Sequence, residues 1–76
     1  MAIEVLIFGS LTDIVESPLR LEQIPDTNSL VSELKSRHPA LENSKYVIAV
    51  NKKMIDANTA LQHNDVVALM PPYSGG

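Results

Sequence analysis

Cysteine is absent from this chain of 76 residues, so disulfides, thiolate metal sites and thiol catalysis are excluded. A secreted domain of this size would usually need disulfide bridges, and we therefore expect a cytoplasmic protein. The chain also lacks a long hydrophobic run, because no apolar stretch approaches the roughly 20 residues of a membrane helix. No basic segment followed by an apolar one stands near Met1. We expect neither a membrane span nor a signal peptide.

Basic residues are few and dispersed. The chain has six Lys and Arg against nine Asp and Glu, a net charge of −3, and only Lys52 and Lys53 are adjacent. This distribution argues against a nucleic-acid partner and favours a protein partner with a basic groove. The chain has no Gly-rich phosphate loop, and His38 and His63 lack the spacing of metal ligands. We therefore expect no metal site and no cofactor bound by this chain, with any ATP bound by a partner.

Hydrophobic alternation predicts five strands and one main helix. The strands are predicted over residues 3–8, 18–23, 46–50, 54–55 and 66–70. The helix is predicted to begin at Thr27, a favourable N-cap, and to end at His38, because the residue before Pro39 is pushed away from helical angles. This order, ββαβββ, is typical of an α+β protein with the β-grasp roll, in which one crossover helix lies across a mixed sheet whose first and last strands pair in parallel at the centre. We predict a β-grasp domain over residues 1–70 and an extended reactive tail over residues 71–76.

The first and last strands each have two apolar faces. Strand parity places Phe8 and Met70 opposite the side chains that are predicted to form the core. An exposed apolar patch on a small domain usually marks a partner site, and methionines such as Met54 suit an adaptable interface. We predict that Phe8, Met54 and Met70 form a partner interface. The alternative is a second small core beneath a short helical turn over residues 11–15.

The last six residues form a candidate reactive tail. They are Pro71, Pro72, Tyr73, Ser74, Gly75 and Gly76. Because glycine lacks a Cβ, Gly75 and Gly76 make a thin, flexible thread that fits a narrow channel and leaves the Gly76 carbonyl open to attack. The two prolines end the last strand, and their locked φ angles also project the tail from the domain in an extended form. Tyr73 either packs at the mouth of the channel or is an ordinary exposed aromatic, and the bland alternative for the glycine pair is a loose tail or a tag remnant.

Three segments resemble the small subunit of molybdopterin synthase (the MoaD family), a ubiquitin-like sulfur carrier. They are VLIFG at residues 5–9, VIAVN at residues 47–51 and DVVALMPPYSGG at residues 65–76. The most specific element is the ending, a strand followed by Pro-Pro-x-x-Gly-Gly. The chain departs from the family at Asn64, where glycine is common, and at Leu69-Met70, where aromatics are favoured just before the two prolines. Asn tolerates left-handed angles, so the turn is preserved, and the second departure bears on partner affinity.

The resemblance implies a non-catalytic carrier subunit of an enzyme complex in molybdenum cofactor biosynthesis. An ATP-dependent adenylyltransferase of the ubiquitin-activating type would adenylate the Gly76 carboxylate, and a sulfur donor protein would convert it to a thiocarboxylate. The large synthase subunit, in a heterotetramer, would receive residues 71–75 in its channel, and sulfur would pass to cyclic pyranopterin monophosphate. The absence of cysteine agrees with this, since an activated carboxylate is one of few groups left to hold sulfur covalently.

Three other functions fit the same residues. A thiamine-pathway sulfur carrier shares the fold and the Gly-Gly ending, although it usually lacks the double proline at this distance. A ubiquitin-like modifier would be joined to target lysines through Gly76 after an identical activation step. This modifier belongs to a different functional class from the sulfur carriers. The last alternative is a plain interaction domain with an incidental tail.

Overall fold

The structure is a computed structural model, and it describes residues 2–72. It contains a five-stranded sheet, one α-helix and two short 3-10 helices. The strands are β1 (Ala2–Ile7), β2 (Leu19–Glu22), β3 (Val47–Val50), β4 (Lys53–Ile55) and β5 (Val66–Met70). The α-helix, α1, spans Thr27–Arg37, and the 3-10 helices span Gly9–Asp13 and Pro39–Asn43. The predicted order of helix and strands is confirmed.

The sheet is mixed, with the strand order β2-β1-β5-β3-β4. At its centre β1 pairs with β5 in parallel, with Leu6 opposite Ala68, and the other neighbouring strands are antiparallel. The parallel pair is possible because α1 and the intervening strands supply the crossover connection that parallel strands need. The first and last strands therefore meet at the centre, as the β-grasp topology predicts.

The core lies between α1 and one face of the sheet. Its fully buried side chains include Ile3, Val5, Leu30, Leu34, Val67 and Leu69. These are alternate positions of β1 and β5 together with the i and i+4 positions of α1, so the predicted core face is confirmed. Leu11 and Val15 also belong to this core. The alternative of a second small core beneath their turn is therefore wrong.

The N-cap of α1 lies one residue earlier than predicted. Asp26 is the N-cap: its Oδ1 accepts a hydrogen bond from the Ser29 backbone N–H at 2.8 Å. Thr27, predicted to be the cap, is instead the first helical residue, and its buried hydroxyl donates to Asn58 Oδ1 at 3.3 Å. The prediction failed because Asp caps a helix at least as well as Thr, and the loop at Asn58 engages the threonine. Hydrogen bonds from the Ser29 side chain, the Ser29 N–H and Asn58 lower the pKa of Asp26.

A second carboxylate, Asp65, stands immediately before β5. Its Oδ1 accepts from Asn51 Nδ2 at 3.0 Å and its Oδ2 from the Gln62 backbone N–H at 2.8 Å, and these bonds lower its pKa. Asn51 also makes two hydrogen bonds with the backbone of Val66. Its own backbone N–H donates to the Val66 carbonyl, and its Oδ1 accepts the Val66 N–H. Asn51 has a φ of 50°, which asparagine tolerates well. One side chain thus links the β3–β4 turn to the start of β5.

These two carboxylates predict an acid-sensitive fold. A carboxyl group whose pKa is lower in the folded chain stabilises it above the unfolded pKa of about 4, and that contribution is lost as the pH falls through the folded pKa. We expect the urea midpoint to decline below about pH 4. A variant with both Asp26→Asn and Asp65→Asn should show a smaller decline, whereas Asp13→Asn, at an exposed position, should behave like the parent chain. An undiminished decline in the double variant would contradict this account.

Candidate functional site

The sheet face opposite α1, called the outer face below, bears a row of apolar side chains. The register aligns Leu6 of β1 with Ala68 of β5, Ala68 with Ala49 of β3, and Ala49 with Met54 of β4. Directly paired residues point to the same side of a sheet. One continuous apolar row therefore crosses four strands, with small side chains at its centre and large ones at its ends.

A second row runs beside the first at the carboxyl ends of β1 and β5. The Phe8 backbone N–H donates to the Leu69 carbonyl at 3.0 Å, which extends the pairing past β1, and Met70 lies opposite Val47. Together the rows form a concavity of about 510 Å³ on the outer face. Its apolar lining is Leu6, Phe8, Ala49, Met54, Val66, Ala68 and Met70, and the polar side chains of Asn51 and Lys52 complete it.

Three side chains of this concavity were predicted as a partner interface. Phe8 is 46% exposed and Met54 is 64% exposed, which makes them the large hydrophobic residues most open to solvent in residues 2–72. Met70 lies on the same face but is half-buried rather than solvent-exposed, because it sits on a central strand between Phe8 and Val47. The structure thus brings the three together on one surface. Their role in binding a partner stays a prediction.

Sequence reasoning missed four residues of this surface. Ala49, Val66, Asn51 and Lys52 line the concavity but were not predicted to do so. Parity within β3 separates Ala49 from its neighbours, yet the face it occupies depends on the β3–β5 register, which no local pattern specifies. The sequence did contain one signal for this position: Ala49 is a small residue in a strand whose other residues are β-branched.

The tail begins beside this concavity. β5 ends at Met70, Pro71 is half-buried against Gly9, and Pro72 is exposed. The remaining predicted tail residues, Tyr73, Ser74, Gly75 and Gly76, lie outside the described residues. Pro71 and Pro72 therefore place the start of the tail at the edge of the outer face that carries Phe8 and Met70.

Both histidines make hydrogen bonds with the backbone of the domain. The His38 backbone N–H donates to the Leu34 carbonyl and ends α1, while His63 Nδ1 accepts the Ala2 N–H at 3.0 Å. His38 therefore closes the end of α1, and His63 holds the start of β1. Residues 2–72 contain no group of three or more His, Asp or Glu side chains placed to hold a metal ion. Within the same range, the α-helix is too short and too polar to cross a membrane.

Comparison with known proteins gives consistent relatives. The ThiS family profile matches residues 5–76. A molybdopterin synthase sulfur carrier subunit from Arabidopsis thaliana is 33% identical over 79 aligned positions, which cover 97% of this chain and 82% of that protein. The molybdopterin synthase sulfur carrier subunit of Chlamydomonas reinhardtii is 31% identical over 83 aligned positions, with all of both chains covered.

Solved structures give the same picture for the fold. A protein–protein complex of subunits 1 and 2 of molybdopterin-converting factor from Helicobacter pylori contains a chain that aligns with a TM-score of 0.76 and 30% identity, with all of both chains covered. SAMP1 from Haloferax volcanii aligns with a TM-score of 0.80 and 25% identity, again with all of both chains covered. The fold is the ubiquitin-like β-grasp that the sequence predicts.

Proposed function

The chain belongs to the ThiS family and, within it, to the molybdopterin synthase sulfur carrier subunits, and from that premise we propose that it carries sulfur on Gly76 for a molybdopterin synthase. The observation that carries the proposal is the match to two such subunits along essentially the whole chain, at 33% and 31% identity. It is supported by the Gly-Gly ending and by the open apolar surface beside the start of the tail.

The proposed reaction takes place at the carbonyl carbon of Gly76. An activating enzyme joins the Gly76 carboxylate to AMP from ATP, with release of pyrophosphate, which replaces a poor leaving group with a good one. The terminal sulfur of a persulfide on the donor protein then attacks the carbonyl carbon and expels AMP. A thiol reductant cleaves the sulfur–sulfur bond of the resulting acyl disulfide, which leaves a terminal thiocarboxylate on Gly76. Two such carriers deliver the two sulfur atoms that convert cyclic pyranopterin monophosphate to its dithiolene. The carrier supplies no general base, because its partners hold the catalytic groups.

The outer face is the proposed docking surface for the large synthase subunit. Phe8 and Met54 are large apolar side chains that the free chain leaves open, and hydrophobic surface of this kind usually marks a partner site. The Helicobacter pylori relative was solved as a complex of two subunits, which supports a large-subunit partner here. Docking on this face would bring the tail, which starts at Pro71 beside Phe8, to the partner's active site. We propose the heterotetramer that the resemblance implies as the assembled form.

Mass spectrometry of the chain from cells that contain its partners tests this function. Trypsin should cut after Lys53 and release residues 54–76 as one peptide, because no Lys or Arg follows. Replacing a carboxylate oxygen with sulfur adds about 16 Da, but oxidation of Met54 or Met70 adds nearly the same mass, so fragment ions must place the increment on Gly76. The lack of cysteine supplies a second readout, since a maleimide should then label the thiocarboxylate as the chain's single sulfur nucleophile.

The result that overturns the proposal is equally specific. A fully expressed chain that carries no increment at Gly76 and takes up no maleimide, in cells that make molybdenum cofactor, would show that it is not loaded with sulfur. Labelling converts the thiocarboxylate into a thioester, so hydroxylamine treatment of the labelled chain is expected to remove the maleimide.

A ubiquitin-like modifier is the second candidate, and one observation favours it. SAMP1, a small archaeal modifier protein, shares the fold with 25% identity. This function predicts covalent conjugates of the chain to lysines of other proteins, resistant to thiols and absent when Gly76 is deleted. A thiamine-pathway carrier predicts a loaded chain without affinity for the large synthase subunit. Conjugate blots and a binding assay with that subunit therefore separate the three functions.

A further inference from the structure

Gly9 lies in direct contact with the first residue of the tail. An ideal Cβ built on Gly9 would stand 2.6 Å from Pro71 Cγ and 3.1 Å from Pro71 Cδ, closer than carbon atoms approach without displacement. The φ of Gly9 is 61°, in the left-handed region that favours glycine. The bare α-carbon of Gly9 therefore provides the space that the Pro71 ring occupies.

The segment that carries Gly9 is held firmly to the domain. Gly9 opens the first 3-10 helix, where Thr12 Oγ1 donates to the Gly9 carbonyl at 2.8 Å. Leu11 of the same turn is buried in the core, and its carbonyl accepts the backbone N–H of Val15. On the other side the Phe8 N–H is bonded to β5. These bonds hold Gly9 in place. Pro71 is half-buried against Gly9, whereas Pro72 is exposed.

We propose that Gly9 is a positioning residue, which seats the Pro71 ring and so sets the point and direction in which the tail leaves the outer face. The proline ring fixes its own φ, so the orientation of the ring on Gly9 is passed directly to the chain that follows. This inference rests on the proposed function in one respect, namely that the tail must reach a partner's active site. Errors of about 1 Å in placing a reacting group cost up to about a hundredfold in rate.

Four chains test this role as a double-mutant cycle: the parent, Gly9→Ala, Pro71→Ala and the double variant. Pro71→Ala removes Cγ and Cδ, the two atoms that the added methyl group would strike, and keeps the Cβ at 4.0 Å. The backbone strain of alanine at a φ of 61° is the same in both chains that carry Gly9→Ala. Any difference between them therefore reports the contact and not the strain.

The expected result is a rescue. Gly9→Ala should lower kcat/KM for adenylation of Gly76 by about tenfold or more in the Pro71 background, and by less than about threefold in the Pro71→Ala background. Melting temperatures should fall equally for Gly9→Ala in both backgrounds. In the free chain, a nuclear Overhauser effect between the Gly9 α-protons and the Pro71 ring should be present in the parent and weakened in Gly9→Ala.

Two outcomes overturn the inference. Equal rate losses in the two backgrounds would assign the effect to strain alone, and an unchanged rate for Gly9→Ala would mean that Pro71 moves without consequence. Failure of the parent chain to be adenylated would instead overturn the proposed function. In that case the Overhauser measurement still shows whether Gly9 and Pro71 are in contact, since it needs no partner and no sulfur transfer.

Discussion

Deletion of Gly76, or addition of a single residue after it, is expected to abolish thiocarboxylate formation while the melting temperature stays unchanged. The proposed chemistry needs a terminal carboxylate at the end of the glycine thread, and an added residue converts the Gly76 carboxylate into an amide. Within residues 2–72 the last residue buried in the core is Leu69, and we therefore expect the fold to be kept without Gly76. The measurement is the mass increment on the tryptic peptide of residues 54–76, made alongside a thermal melt.

A removable extension provides the control. One lysine added after Gly76 should block loading, and a carboxypeptidase specific for basic residues should remove it and restore loading in the same preparation. Restoration would exclude damage to the domain as the cause of the block. Thiocarboxylate formation in the uncleaved variant would contradict a reaction at the terminal carboxylate, as would failure to recover activity after complete removal of the lysine.

Met54→Glu is expected to weaken binding of the chain to the large synthase subunit by more than about tenfold. Burying a methionine in an interface is worth about 1.5–3 kcal/mol, and each factor of ten in affinity corresponds to about 1.4 kcal/mol. A carboxylate at the same point would in addition lose its hydration on entering an apolar interface. Met54 is 64% exposed in the free chain, so the melting temperature should change by less than about 4 °C.

Ser36→Glu is the matched control, because it adds the same charge at an exposed position of α1, in the layer away from the outer face. Its affinity for the large subunit should equal that of the parent chain. Met70→Glu should weaken binding as well, but with a loss of stability, since Met70 is half-buried. Equal affinities for Met54→Glu and Ser36→Glu would mean that the partner binds elsewhere on the domain.

The sequence predicts those parts of the fold that a local pattern determines without distant residues. In β5 the alternation of Val67 and Leu69 with Ala68 and Met70 specifies the strand and both of its faces, and the structure has the same bounds, Val66–Met70. Pro39 ends the helix for a steric reason that acts within two residues. These features need no knowledge of distant partners, which is why the sequence alone predicts them.

The features that were missed depend on residues far apart in the chain. Asp26 and Thr27 are both competent caps, and the loop at Asn58, which binds Thr27, decides between them. The position of Ala49 on the outer face requires the register between β3 and β5. Gly9 and Pro71 meet only because the first and last strands are neighbours. The sequence therefore predicted the large side chains Phe8, Met54 and Met70 of the concavity, but neither its complete lining nor the contact between Gly9 and Pro71.

The central position of β5 also affects how the chain is made. Synthesis runs from the amino end, so β1 is complete long before Val66–Met70 leaves the ribosome to pair with it. Until then β1 and β3 both have an open edge in the middle of the sheet, and such edges invite aggregation and proteolysis. A chain truncated before Val66 lacks the strand that joins the two halves. We therefore expect nascent or broken chains to be removed by cellular quality control.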